Sequence, residues 1–148
     1  MTLDAVTREL ETVKWAINRL CSLSGYEKDD YLSSVQINPE NADDCFLLDQ
    51  YTRIIERLYQ EQERIKKALS PVSYMGYLHK GQNGRYSADN HEMSSGSTFE
   101  ALVYNQDTER NEWKSCKIEF DRNRNDYYIP DITEPLEGLC IRIREEQQ

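Results

Sequence analysis

His79 and His91, with Cys21, Cys45, Cys116 and Cys140, are the side chains best suited to acid–base, nucleophilic or metal chemistry. Their spacing does not organise them. A structural zinc site draws its ligands from close pairs, because two local ligands are already positioned when the others arrive. No two of these cysteines form a Cys-x-x-Cys pair, and although the histidines could approach one another across adjoining strands, no Cys or carboxylate spacing near them makes a recognisable zinc site. Cys116 and a histidine could act as nucleophile and base only through a tertiary contact that nothing local supports. Glu119 and Asp121 share one face of an extended strand, yet carboxylates beside a turn are ordinarily solvated. Gly81–Gly84 reads as a hairpin turn rather than a phosphate cradle. The expectation is a protein without catalytic residues, without a metal site and without a cofactor. The cysteines read as reduced, mostly buried small hydrophobes, a Cys21–Cys45 disulfide being the minor alternative.

Charge gives a different lead. The chain has 27 acidic and 18 basic residues among 148, a net charge of −9. Residues 1–72 hold 9 basic and 13 acidic side chains (−4), and residues 73–148 hold 9 and 14 (−5). General phosphate-backbone binding needs a surplus of Lys and Arg, and anionic membranes attract the same surplus, so neither partner is expected. A protein with a basic surface is favoured instead. The candidate contacts are Asp29, Asp30, Asp43 and Asp44, with Glu109, Glu112, Glu119 and Asp121. The plainer reading is that these acids cap helices and keep the chain soluble. A second possibility is an arginine strip of Arg122, Arg124, Arg142 and Arg144, with Trp113, Tyr127 and Tyr128 as stacking surfaces for nucleic acid. Acids interleave with those arginines, so paired charges are the simpler interpretation.

The elements that position these residues change character at Ser70-Pro71. Before it, Leu3, Val6, Leu10, Val13, Ile17 and Leu20 step by three and four, the pattern of an amphipathic helix with a heptad stripe. Thr2 is a suitable N-cap, and Ser24-Gly25 a suitable stop. Leu48, Tyr51, Ile55, Leu58, Gln62, Ile65 and Leu69 repeat the rhythm in a second helix starting near Asp43-Asp44, with a polar Gln62 on the seam. The connector over about residues 24–43 is expected to hold a short helix around Glu27–Val35. Two such helices pack as an antiparallel hairpin, and heptads this regular also fit a homodimer through the helices.

After Pro71, short β-favouring runs alternate with turns. Met75–Lys80, Arg85–Ser87, Thr98–Tyr104, Trp113–Phe120, Tyr127–Ile129 and Leu139–Arg144 read as strands. The fold class expected is α+β: residues 1–70 a helical hairpin with an acidic connector, and residues 71–148 a small β-rich module. That module reads as an antiparallel five- or six-stranded SH3-like sheet or partly closed barrel. Gly84-Arg85-Tyr86, Ser95-Gly96-Ser97 followed by Phe99-Glu100, Trp113, Ile118-Glu119-Phe120, Tyr127-Tyr128-Ile129 and Leu136-Glu137-Gly138-Leu139 occur in that order. Over about residues 75–145 the chain thereby resembles a small bacterial family, domain of unknown function 5348, found in Gram-positive bacteria and their mobile elements. The resemblance implies no catalytic residues and does not reach the helices.

The N-terminus lacks the basic and apolar regions of a signal peptide, and no stretch is long and apolar enough to span a membrane, so a cytoplasmic location is expected. The function expected is a non-enzymatic acidic protein-binding module. Its most concrete form is an anti-defence protein of a phage or mobile element, resembling an anti-CRISPR. Its carboxylates would mimic DNA phosphates and occupy the basic nucleic-acid surface of a CRISPR effector. The alternative is a nucleic-acid-binding accessory factor using the arginine and aromatic face of the β module.

Overall fold

Thr2 begins the first helix in the way its side chain allows: its Oγ1 accepts the Ala5 amide at 3.2 Å, satisfying one of the helix's otherwise orphaned donors. The computed structural model describes residues 1–145. Helix α1 spans Leu3–Ser24. It stops at Gly25, whose φ of +83° is a left-handed conformation that favours glycine. A Cβ there would fall 2.1 Å from the Ser33 Oγ and 3.0 Å from the Ser34 amide nitrogen. One short turn of helix, α2 (Tyr26–Asp29), follows, much shorter than the segment expected around Glu27–Val35. The chain bends instead at Asp30, which is left-handed at φ 57°, and at Ser34, whose amide bonds the Ser24 carbonyl.

Helix α3 spans Ala42–Leu69. Its N-cap is Asn41 rather than Asp43 or Asp44: the Asn41 Oδ1 accepts both the Asp43 and Asp44 amides. The two aspartates lie in the first turn, where negative charge meets the positive end of the helix dipole. Pro71 ends α3 as its ring requires. Within this unit Ile17, Cys21, Tyr26, Leu32 and Ile55 form the buried core, with Leu48, Leu58 and Tyr59 packed against it. The Gln62 side chain is buried too. Its Nε2 donates to the Asn18 Oδ1 at 3.2 Å, while its Oε1 has no partner among the described residues.

A second compact unit begins at Pro71. Its described residues form nine strands: β1 (Val72–Tyr77), β2 (His79–Lys80), β3 (Tyr86–Ala88), β4 (His91–Glu92), β5 (Thr98–Asn105), β6 (Arg110–Lys117), β7 (Glu119–Asp121), β8 (Asp126–Tyr128) and β9 (Cys140–Arg144). The fold is therefore α+β, helices first and antiparallel strands after. The strands do not form a single sheet or a closed barrel. They sort into a four-stranded sheet ordered β1-β9-β5-β6, a three-stranded sheet β2-β3-β4 and a two-stranded hairpin β7-β8.

Two buried residues explain why single β-favouring runs become separate strands. Leu78 interrupts Met75–Lys80, with its amide bonded to the Leu139 carbonyl and its carbonyl accepting from the Gly138 amide. Ile118 interrupts Trp113–Phe120 through the Ser97 carbonyl and the Gly96 amide. Both are fully buried. Each satisfies its backbone groups on a turn rather than a ladder, which lets the chain leave one sheet and enter the next. Leu78, Ile118 and Ile141 sit at the centre of a core completed by Tyr86, Phe99, Val103, Ile129 and Leu139 among others.

Candidate functional site

β5 alternates strictly. Phe99, Ala101 and Val103 face the core, while Thr98, Glu100, Leu102 and Tyr104 face outward. The registers carry that outward side across the four-stranded sheet. Glu100 lies opposite Ser115 and Arg142, Leu102 opposite Trp113, and Tyr104 opposite Asn111. On β9 and β1, Arg142 lies opposite Met75 and Cys140 opposite Tyr77. The outer face thus gathers Met75, Tyr77, Leu102, Tyr104 and Trp113 around one charged centre. Three of these stand well into solvent: Met75 at 60%, Tyr77 at 59% and Tyr104 at 54% exposure.

The charged centre is Glu100 between two guanidiniums. Arg142 reaches its Oε1 at 2.6 Å and Arg144 its Oε2 at 2.5 Å. Burial alone would raise the Glu100 carboxyl. Hydrogen bonds and positive charge from Arg144 and Arg142 outweigh it and hold the carboxyl below its ordinary value. Arg142 also lies over the Trp113 ring at 4.3 Å, a cation–π contact. At the β5–β6 end of the sheet an open groove of about 510 Å³ is lined from both sides of the strands, by Tyr104 and Trp113 and by Val103, Lys114, Ile132 and Glu134. The Tyr104 amide donates to the Glu134 Oε1 and the Lys114 Nζ to the Asp131 carbonyl, so the strand edge is tied to the following loop.

The arginine strip read from the sequence is divided. Arg142, Arg144 and Trp113 do share the outer sheet face. Arg122 and Arg124 sit on the β7–β8 turn, where Arg124 pairs with Asp121 at 3.4 Å. Tyr127 and Tyr128 belong to β8, and Tyr127 packs edge-on against Phe120 with centroids 5.0 Å apart.

The acidic candidates are placed as follows. In the helical unit, Asp29 ends α2 and Asp30 caps it, while Asp43 and Asp44 open α3. The Asp44 Oδ2 accepts the Asn38 amide at 3.1 Å. In the β unit, Glu109 occupies the β5–β6 turn with φ of 54°. Glu112 accepts from the Asn105 Nδ2, the Arg110 Nε and the Thr108 hydroxyl, and these bonds pull its pKa down to about 2. Glu119 bonds Lys117 and Ser95, which lower its pKa. Asp121 accepts the Asn123 amide. Four of the eight, Asp44, Glu112, Glu119 and Asp121, therefore already hold partners within their own unit.

The histidines and cysteines remain apart. His79 and His91 lie on the two outer strands of the β2-β3-β4 sheet, paired with Ser87 and Ala88 respectively, so their side chains leave opposite faces. The His79 Nδ1 meets the Glu137 Oε1 at 2.8 Å. His91 stacks on Tyr74 at 4.3 Å, whose hydroxyl donates to Asp89. The Cys116 thiol donates to the Lys114 carbonyl, and burial raises its pKa. Cys21, Cys45, Cys116 and Cys140 are all free thiols. Among the described residues no group of three or more His, Cys, Asp or Glu side chains could hold a metal ion. No helix there is long and apolar enough to cross a membrane.

Sequence reasoning missed Met75, Tyr77, Leu102 and Tyr104. The available signal was that β5 stays apolar on its outward side, at Leu102 and Tyr104, where a half-solvated strand would place polar residues.

The β unit is thus a small antiparallel domain with an aromatic outer face. Residues 76–143 match the family model described as "Domain of unknown function (DUF5348)", in agreement with the resemblance in the sequence. No curated protein and no solved structure matches the chain.

Proposed function

We propose that this chain is a non-catalytic protein-binding module that meets its partner through the outer face of the four-stranded sheet. The observation that supports this is the exposure of Met75, Tyr77 and Tyr104 beside Trp113 and Arg142. Tyr, Trp, Met and Arg are the residue types enriched where protein interfaces concentrate their binding energy. The groove beside Tyr104 and Trp113 offers a place for a partner side chain. An aromatic on a short, two-sided strand also costs little side-chain entropy on binding.

This reading keeps the class expected from the sequence and moves the contact surface. In the charge-mimic version, the anti-CRISPR-like inhibitor of a basic nucleic-acid groove, the contacts would be Asp29, Asp30, Asp43 and Asp44 with Glu109, Glu112, Glu119 and Asp121. The internal partners of Asp44, Glu112, Glu119 and Asp121 favour the sheet face, because a carboxylate must leave those bonds to meet a new cation. A nucleic-acid ligand for the sheet face is disfavoured by the −9 charge of the chain and by Glu100, which already engages both arginines.

The test is affinity capture from the native host with three baits: the native chain, a Tyr77→Asp/Tyr104→Asp variant, and a variant with Asp29, Asp30, Asp43 and Asp44 changed to Lys. Loss of the captured partner with the tyrosine variant alone is expected. Loss with the lysine variant alone would overturn the sheet-face reading in favour of charge mimicry. A low-salt mobility shift of single-stranded DNA or RNA would overturn the protein-partner reading.

A further inference from the structure

Each long helix carries two parallel seams, and the chain itself covers one of them far more than the other. On α1 the inward seam is Leu10, Lys14, Ile17, Cys21 and Ser24, all buried or half-buried. One position earlier runs a second seam, Val6, Glu9, Val13, Ala16, Leu20 and Leu23, with the same alternating steps of three and four. On α3 the inward seam is Leu48, Thr52, Ile55, Tyr59, Gln62, Lys66 and Leu69. Again one position earlier runs Leu47, Tyr51, Ile54, Leu58, Glu61, Ile65 and Ala68. The second seams are apolar except at Glu9 and Glu61, and Glu61 is paired with Arg64 on its own helix. Most of them stay open: Val13 is 46% exposed, Leu20 41%, Leu47 42%, and Tyr51 and Ile54 52% each, while Ile65 and Leu58, the latter packed against the helical core, are half-buried.

Helices with two adjacent heptad seams are the components of four-helix bundles, in which each helix packs against two neighbours. α1 and α3 meet where Gln62 bonds Asn18, and in the antiparallel pairing expected from the sequence they run in opposite directions. With that sense, a rotation of about 100° by one position on both helices turns both open seams to the same side of the pair.

We propose that this side is a homodimer interface, on which the α1–α3 pair of a second copy completes a four-helix bundle. The occupant must present apolar residues at the same 3.5-residue step over the whole length. Within the described residues α1 and α3 do so, whereas α2 has four residues. The open face is about 26–32 Å long at the standard rise and about 20 Å wide for two helices side by side, on the order of 600 Å² per copy. Doubled, it reaches about 1,200 Å², the lower range of specific stable interfaces. The contact is apolar, so the net charge of each copy opposes it, and added salt strengthens it by screening.

Sedimentation equilibrium of the full chain tests this. The expected mass is twice the 17.5 kDa of one chain, with tighter association as NaCl rises from about 0.05 M to 1 M. Val13→Glu with Ile54→Glu is expected to raise the dimer dissociation constant at least about 100-fold, because both carboxylates would be buried against apolar side chains. Helical circular dichroism should persist, since neither residue belongs to the inward core. Should the double variant lose that signal, Leu20→Lys and Tyr51→Lys are read singly in the same way. A monomer at about 100 μM, a concentration at which an interface of this size should be populated, would overturn the proposal. So would a dimer mass that none of these substitutions lowers.

Discussion

Glu112 gathers Asn105, Arg110 and Thr108 around one carboxylate at the β5–β6 turn. Those donors favour the charged form and bring its pKa down to about 2. Because folding lowers this pKa, the ionised carboxylate favours the folded turn above about pH 4.5 and loses that contribution as pH falls toward 2. A carbon-detected NMR titration should place the Glu112 midpoint near 2, and Asn105→Ala should move it upward. A midpoint near the ordinary glutamate value would show that the three bonds do not persist in solution. Residue types made this cluster partly legible, since Glu112 and Arg110 are two apart on one strand. The Glu100 clamp was legible only as a tendency toward paired charges. Arg142 and Arg144 lie 42 and 44 positions from Glu100, and only the β5–β9 register brings them together.

Local signals with a single stereochemical cause were legible at the scale of elements: the Thr2 cap, the Gly25 stop and the Pro71 break. Gly25→Ala should destabilise the helical unit by about 1–3 kcal/mol, combining the left-handed φ with the clash against Ser33 and Ser34. Urea unfolding followed at 222 nm measures it; a loss below about 0.5 kcal/mol would mean that the bend relaxes freely. The heptads were legible but their direction was not. The stripe of Leu3, Val6, Leu10, Val13, Ile17 and Leu20 takes alternate residues from the inward and the open seam, because each helix is apolar over more than one seam's width. Gln62 stands on the inward seam with an Oε1 that no described residue pairs. Gln62→Leu should therefore stabilise the unit by about 1 kcal/mol, since the exposed Asn18 can turn to water. Destabilisation on urea unfolding would assign the amide a register role instead. The strand breaks at Leu78 and Ile118 escaped the sequence for a related reason. A fully buried apolar residue reads as strand core, and nothing local reveals that its backbone bonds go to a turn.

Two cores of different size share the molecule, and each unit has one tryptophan. The helical core rests on Ile17, Cys21, Tyr26, Leu32 and Ile55, whereas the β core has more than twice as many buried members. Apolar burial is the main favourable term in folding, so the helical unit by itself should be the weaker of the two. A second copy on the open seams would add to the helical unit's burial and not to the β core. Mass action then makes the stability of the helices, and not that of the β unit, depend on protein concentration. Trp15 reports on α1 and Trp113 on the outer sheet face. In a Trp113→Phe chain, the thermal midpoint read from Trp15 fluorescence should rise by several degrees between about 1 and 100 μM, the shift expected when about 1–2 kcal/mol is added to a unit of this size. In a Trp15→Phe chain, the midpoint read from Trp113 should stay fixed over the same range. Equal movement of both midpoints would mean that the units unfold together. Movement of neither would remove the concentration-dependent support that the open seams are proposed to provide.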